Sequence, residues 1–308
     1  MSIRDAFVYG AARLLLALLR ALPRPLALRL LGGLGRTWAR LGGPRSDVAA
    51  INLAIAFPDE DAQTRRRILI DSFARLAESL VDLAAIAGLD DERSRRLVAI
   101  EGLEHLEGAL AEGRGAIMLT AHFGSFELFQ TACAARGIPT SVVHREQDNA
   151  GFERILSELR TGAGVEMLPR GSAARGVLRA LRRNRVVGMT LDQDTPRDEG
   201  VFVPFFGRPA CTRSAPARIA MKTAAPVVPG FLFRSADGLS HVVRFGAPLE
   251  MVPAGNDPDA AVIENLRRMT AAIEDAVRAA PDHWYWVHRR WRTAPQRGVN
   301  IYKPSKTR

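Results

Sequence analysis

Apolar positions follow two different rhythms along this chain. Up to about residue 98 they recur at three- and four-residue spacing, and the stretch 45 to 98 reads as helical. Leu14, Leu15, Leu18 and Leu19 make one stripe on a helix from Phe7 to Leu22, which is broken at Pro23-Arg24-Pro25. Ile68, Phe73, Leu76, Leu80 and Leu83 mark another helix over 62–86. From residue 114 the apolar positions gather in short β-rich runs: 115–120, 140–144, 165–168, 186–191, 201–206, 227–233 and 241–245. Amphipathic stretches at 125–136, 149–160, 172–183 and 213–223 lie between them, and a last helix runs from Asp259 to Pro281. Strands alternating with helices predict an α/β fold: a mixed sheet of about seven strands flanked by helices. Residues 1–42 would form a helical, membrane-associating region ahead of a domain at 43–308.

The membrane reading comes from charge on the first helix. Arg13 and Arg20 flank its leucine stripe, and the segment is short for a full span. Such a helix lies in the interface, with arginines reaching anionic headgroups; the alternative is an amphipathic helix packed on the protein's own core. With 47% hydrophobic and 25% charged residues, the chain is neither disordered nor polytopic. Its formal charge of +10, carried by arginine with only three lysines, favours an anionic partner. Phospholipid headgroups, a phosphorylated substrate or an acidic carrier protein would all serve. The basic residues are scattered and match no nucleic-acid motif, so no nucleic acid is expected. Cys133 and Cys211 fit no metal or redox spacing and read as buried, reduced thiols. No cleavable signal pattern follows the first apolar stretch.

The informative chemistry lies where the first strong strand ends, at Thr120-Ala-His122-Phe-Gly124-Ser125-Phe-Glu127. Ligands of open α/β sheets bind at the carboxyl ends of strands, and His122 sits there with Glu127 on the first turn of the next helix. Histidine is the base that can activate a hydroxyl near neutral pH, and a carboxylate on its other ring nitrogen fixes the tautomer. Spacing alone carries no weight: six histidines and 33 acids give about 0.6 such pairs by chance. The strand–turn–helix context is what singles the pair out. Gly124 would let the backbone approach a substrate. Ser125 reads as a helix N-cap rather than a nucleophile.

With these residues in place, the chain resembles the lysophospholipid acyltransferase superfamily, and within it the lipid A biosynthesis (lauroyl/myristoyl) acyltransferases. His122 and Glu127 match the His-x4-Asp/Glu block. The segments 160–164, 168–171, 191–194, 200–207 and 226–229 follow in the family's order, and Trp286-Val-His288-Arg-Arg-Trp291 matches its ending. The resemblance implies transfer of a fatty acyl chain from acyl-carrier protein (or acyl-CoA) to an anionic glycolipid hydroxyl, at the cytoplasmic face of the inner membrane. It implies His122 as general base supported by Glu127, and no metal or diffusible cofactor. Arg160 would bind phosphate or the oxyanion, Asp192 would orient Arg160 or His122, and Arg145 would contact the headgroup. His288, Arg289, Arg290 and Trp291 would meet lipid. Arg179, Arg182, Arg183 and Arg185 read as a solvated helix end that an acidic carrier protein could use. Competing readings are a different acceptor such as a phosphatidylinositol mannoside, a non-catalytic basic membrane binder, and a serine hydrolase acting through Ser125.

Overall fold

A computed structural model describes residues 2–144, 148–169 and 173–302. Five helices come first: α1 (Ile3–Ala21), α2 (Arg24–Arg40), α3 (Ser46–Ala56), α4 (Ala62–Ile86) and α5 (Asp91–Leu97). Ser2 and Asp5 close a capping box at the start of α1, and Asp61 caps α4 by accepting from the Thr64 N–H at 2.6 Å. The α/β part follows as β1 (Val98–Glu101), α6 (Leu103–Ala111), β2 (Ala116–Thr120), α7 (Phe126–Ala135) and β3 (Thr140–His144). Next come α8 (Ala150–Gly162), β4 (Glu166–Pro169), α9 (Ala173–Arg182), β5 (Val186–Thr190), β6 (Gly200–Phe205) and β7 (Arg208–Arg213). The series ends with α10 (Ala215–Thr223), β8 (Val227–Arg234), β9 (His241–Phe245), α11 (Pro258–Ala279) and a 3-10 turn, Pro281–His283.

Seven strands form one sheet in the order β1-β9-β8-β2-β5-β3-β4. Neighbours are parallel except β8 and β9, so the sheet is mixed. All five residues of β2 are buried, as a strand covered on both faces requires. Ile117 and Leu119 join a core that includes α11 and three tryptophans, while Ala116 and Met118 face α6 and α7. The count of seven is as expected but its membership differs. The run near 201–206 is β6, which pairs with β7 in a separate hairpin, and its place in the main sheet is taken by β1. The hairpin turn puts Phe206 and Gly207 both at positive φ, the geometry of a type I′ turn.

The helical arm is packed in an unusual sense. α2 lies along α4 through small residues: a Cβ on Gly35 would come within 2.3 Å of the Phe73 carbonyl oxygen, and one on Gly32 within 2.5 Å of Glu78 Oε1. Leu28 is buried beside Val81 and Ala84, but Leu26, Leu30, Leu34 and Trp38 face outward. Ile3, Phe7, Leu14, Leu15 and Leu18 of α1 are exposed in the same way. α1 also rests on α8, where a Cβ on Gly151 would meet the Asp5 carbonyl oxygen at 2.1 Å. Among the described residues no helix is long and apolar enough to cross a membrane.

Candidate active site

Adjacent parallel strands bring His122 to its partner. In the β2–β5 register Thr120 is opposite Thr190, and His122 and Asp192 each stand two residues further on. The Asp192 carboxylate holds the histidine twice, with Oδ1 2.9 Å from the ring Nδ1 and Oδ2 accepting from the His122 N–H at 3.0 Å. Trp284 Nε1–H donates to the same Oδ2 at 2.9 Å. Asp192 is buried; burial alone would raise its pKa, but the His122 charge and these hydrogen bonds hold it below the ordinary carboxylate range. For His122 burial works downward, and the Asp192 charge and hydrogen bond outweigh it, so its pKa is raised. An Nδ1–H turned to a carboxylate leaves Nε2 as the basic atom. Nε2 lies 3.2 Å from the Gln193 side-chain nitrogen, and 21% of the histidine side chain is exposed to the cavity before it.

Glu127 is not the carboxylate on the histidine ring. It starts α7 but reaches across to α8, where Arg160 Nε donates to Oε2 at 2.8 Å and Nη2 to Oε1. The pair is bidentate and mostly buried, with side chains 10% and 15% exposed. Glu127 still acts on His122 through space, adding to the upward pull on its pKa. Asp192 therefore orients His122 and not Arg160.

Gly124 lines the cavity and has a structural task besides. Its N–H donates to the His283 carbonyl at 2.8 Å, so it offers no free oxyanion donor. Its φ is +55°, and a Cβ would stand 2.4 Å from the Leu232 carbonyl oxygen; glycine is required by the neighbouring strand. Ser125 does occupy the N-cap position of α7, but its hydroxyl makes no cap bond. It donates to Asp82 Oδ2. That carboxylate, fully buried on α4, also takes Arg24 Nη2 at 2.5 Å, Arg234 Nη2 at 2.8 Å and His241 Nε2 at 3.0 Å. Burial would raise the Asp82 pKa, yet these neighbours drive it far down. A hydroxyl committed to a buried carboxylate is poorly placed to be a nucleophile.

The expected lipid contact at residues 288–291 divides into interior and cavity. Arg290 and Trp291 are almost wholly buried. Arg290 donates to the Gln193 and Cys211 carbonyls at 3.0 and 2.8 Å and to Thr212 Oγ1 at 2.5 Å; these bonds offset the cost of burying its charge. Burial lowers its pKa to about 10, which leaves it charged at neutrality. His288 Nε2 accepts from the Asp194 N–H at 2.9 Å, and burial takes its pKa down to about 4, so it is neutral. Neither interior residue can touch a membrane. His288 and Arg289 line the cavity in front of His122. Arg183 and Arg185 both pair with Glu166. Arg145 lies outside the described residues, as do Arg170 and Gly171. Cys133 and Cys211 are both free and buried, and burial pushes the Cys133 thiol up to about 12.

His122, Glu127 and Arg160 open on one cavity of about 1500 Å³. Leu76, Leu80 and Leu83 of α4 and Phe126, Phe152 and Leu156 from α7 and α8 give it an apolar side. Gln193, Thr293 and several arginines give it a polar side. Such a space suits a long apolar chain beside a polar group, with a base between them. Trp284 and Gln193 are site residues that pattern reading gave no role; a tryptophan among tryptophans and an amide after an aspartate carry no distinguishing signal.

The chain is matched over residues 5–293 by the family model for "Bacterial lipid A biosynthesis acyltransferase". The lipid A biosynthesis lauroyltransferase of Escherichia coli (strain K12) is 28% identical over 276 residues, 89% of this chain and 88% of that one. The lipid A biosynthesis palmitoleoyltransferase of the same organism is 26% identical over 261 residues, 84% and 82% of the two chains. Its lipid A biosynthesis myristoyltransferase is 25% identical over 276 residues, 89% and 83%.

Proposed function

The chain belongs to the bacterial lipid A biosynthesis acyltransferase family, and on that premise we propose that it moves a fatty acyl chain from an acyl-carrier-protein thioester to a hydroxyl of a lipid A precursor. His122 Nε2 takes the hydroxyl proton while the oxygen attacks the thioester carbonyl. The imidazolium that forms is stabilised by Asp192, which fixes the ring by its other nitrogen. Arg160, locked by Glu127, supplies positive charge for the oxyanion of the tetrahedral intermediate. Collapse breaks the carbon–sulfur bond, and the departing thiolate takes the proton back from His122. The ester, the thiol and a neutral histidine result.

The observation that best supports this reading is the His122–Asp192 contact of 2.9 Å at Nδ1, which leaves Nε2, beside the Gln193 amide, as the basic atom at the cavity. Membrane attachment through the outward apolar faces of α1 and α2, at the cytoplasmic face of the inner membrane, belongs to the same proposal. The test is mass spectrometry of lipids after incubation with a tetra-acylated, Kdo-bearing lipid A precursor and several acyl-carrier-protein thioesters. A gain of one acyl chain that disappears in His122→Ala is the expected result. No gain from folded protein would overturn this acceptor and turn attention to other glycolipids with acyl-CoA.

A further inference from the structure

The cavity wall carries charge that acyl transfer at His122 does not use. Arg45, Arg289 and Arg292 line it, together with Asp194, Glu199 and Arg213. Arg213 is neutralised by Glu199, Nη1 to Oε2 at 2.5 Å. Asp194 accepts from the N–H and hydroxyl of Thr293 at 3.1 and 3.0 Å and has Arg292 in electrostatic range. Among the described residues, Arg45, Arg289 and Arg292 make no ion pair with any carboxylate.

Arg289 is the most telling of the three. Its Nε is buried and has no hydrogen-bond partner, although buried donors are nearly always satisfied. Its guanidinium carbon lies 6.0 Å from the centre of the Tyr302 ring. That ring is itself fixed, since the Tyr302 hydroxyl donates to Asn52 Oδ1 at 2.6 Å and accepts from the Trp291 N–H at 3.1 Å. Arg289 is thus held in place but unsatisfied. Arg45 stands at the N-cap of α3, where the helix adds positive potential, and its charge reaches His288.

The charge balance selects the ligand. Asp194 also faces the buried charge of Arg290, so at least two of the three cavity cations have no counter-charge of their own. A phosphate monoester carries about −1.5 to −2 at neutral pH and presents oxygens to forked guanidinium donors. A phosphodiester, such as the link that joins a pantetheine arm to its carrier, carries one charge and fits less well. We propose that Arg45, Arg289 and Arg292 form a phosphate-monoester subsite, separate from the Glu127–Arg160 pair, that holds a sugar phosphate of the acceptor while its hydroxyl lies at His122. The acceptor's identity rests on the reaction proposed above; the subsite itself rests on the unpaired arginines.

The experiment uses the full chain in lipid nanodiscs, comparing wild type with R45Q and with the R289Q/R292Q double variant. Each is assayed on the phosphorylated acceptor and on the same lipid after phosphatase treatment. The double variant is expected to raise KM for the phosphorylated acceptor about ten- to hundredfold, as loss of charge-assisted hydrogen bonds does. Turnover and the donor's KM should stay near wild type, and the preference for the phosphorylated lipid should vanish. Equal loss on both acceptors, a rise confined to the donor, or no change would each overturn the subsite. R45Q, at an exposed position, gives the same reading if the double variant misfolds. Equilibrium dialysis of the acyl-free glucosamine disaccharide bisphosphate needs no turnover: wild type and His122→Ala should bind it and the double variant should not. Headgroup binding without acyl transfer by wild type would sink the proposed reaction and leave the subsite standing.

Discussion

Asp192 holds the ring of His122 at 2.9 Å, and Glu127 holds Arg160. Asp192 takes the duty that the sequence assigns to Glu127, and Glu127 takes one that the sequence offers to Asp192. Replacing Asp192 by Asn should therefore damage the tautomer as well as the charge, with turnover falling on the order of a hundredfold or more. The pH profile carries the sign. A general base works when unprotonated, and the Asp192 charge raises the His122 pKa, so the rate of the wild type should rise through a limb above the ordinary histidine value. With Asp192→Asn the limb moves to lower pH while the plateau drops. A limb that stays in place would mean that Asp192 does not set the base. Loss of activity in Glu127→Gln should leave the limb nearly where it was, because Glu127 makes the smallest contribution to the His122 shift. His122 was legible as the residue after an apolar strand. Asp192 reads from the sequence only as orienting either Arg160 or His122; the choice between them was not legible, because Asp192 sits 70 positions from His122 and becomes its neighbour only when β5 lies beside β2.

α2 inverts the usual rule for a helix on a protein surface. Gly32, Gly35 and Ala39 face inward and let its backbone close on α4, while Leu30, Leu34 and Trp38 point away. An outward row of large apolar side chains needs a cover, and a bilayer interface supplies one. Burying each such leucine is worth about 1.5–3 kcal/mol. Exchanging Leu30, Leu34 and Leu18 for serine should thus weaken vesicle partitioning by about a thousandfold or more, with the unfolding midpoint little changed. Vesicle binding that survives all three changes would remove the arm from the membrane. The elements themselves were readable to differing degrees. α11 showed in the periodicity because it buries a long stripe, and α4 because its leucines line the cavity along one side. β1 did not, since only Val98 of its four residues is buried. Nor did β7, whose Pro209, Cys211 and Thr212 give no alternation.

Across the whole molecule, Asp82 is the point where separate parts meet. Its carboxylate joins α4 to Arg24 at the start of α2, to Arg234 of β8, to His241 of β9 and to Ser125 at the turn after β2. A buried anion with four partners is costly to disturb: Asp82→Ala should lower stability by about 3–5 kcal/mol in denaturant unfolding, since it leaves two arginines facing a void. A loss below about 1 kcal/mol would mean that water already reaches the cluster. The same junction decides what the helical arm is. Cutting it away and attaching the remainder to a membrane with a foreign tether would restore proximity but not the counter-ion at Asp82, nor the helix seated against Phe73. The arm lines none of the cavity but stands behind α4, which does; it is better regarded as a buttress than as a mooring rope, and a shortened, freely soluble version of this enzyme should be a vessel with an unsupported wall.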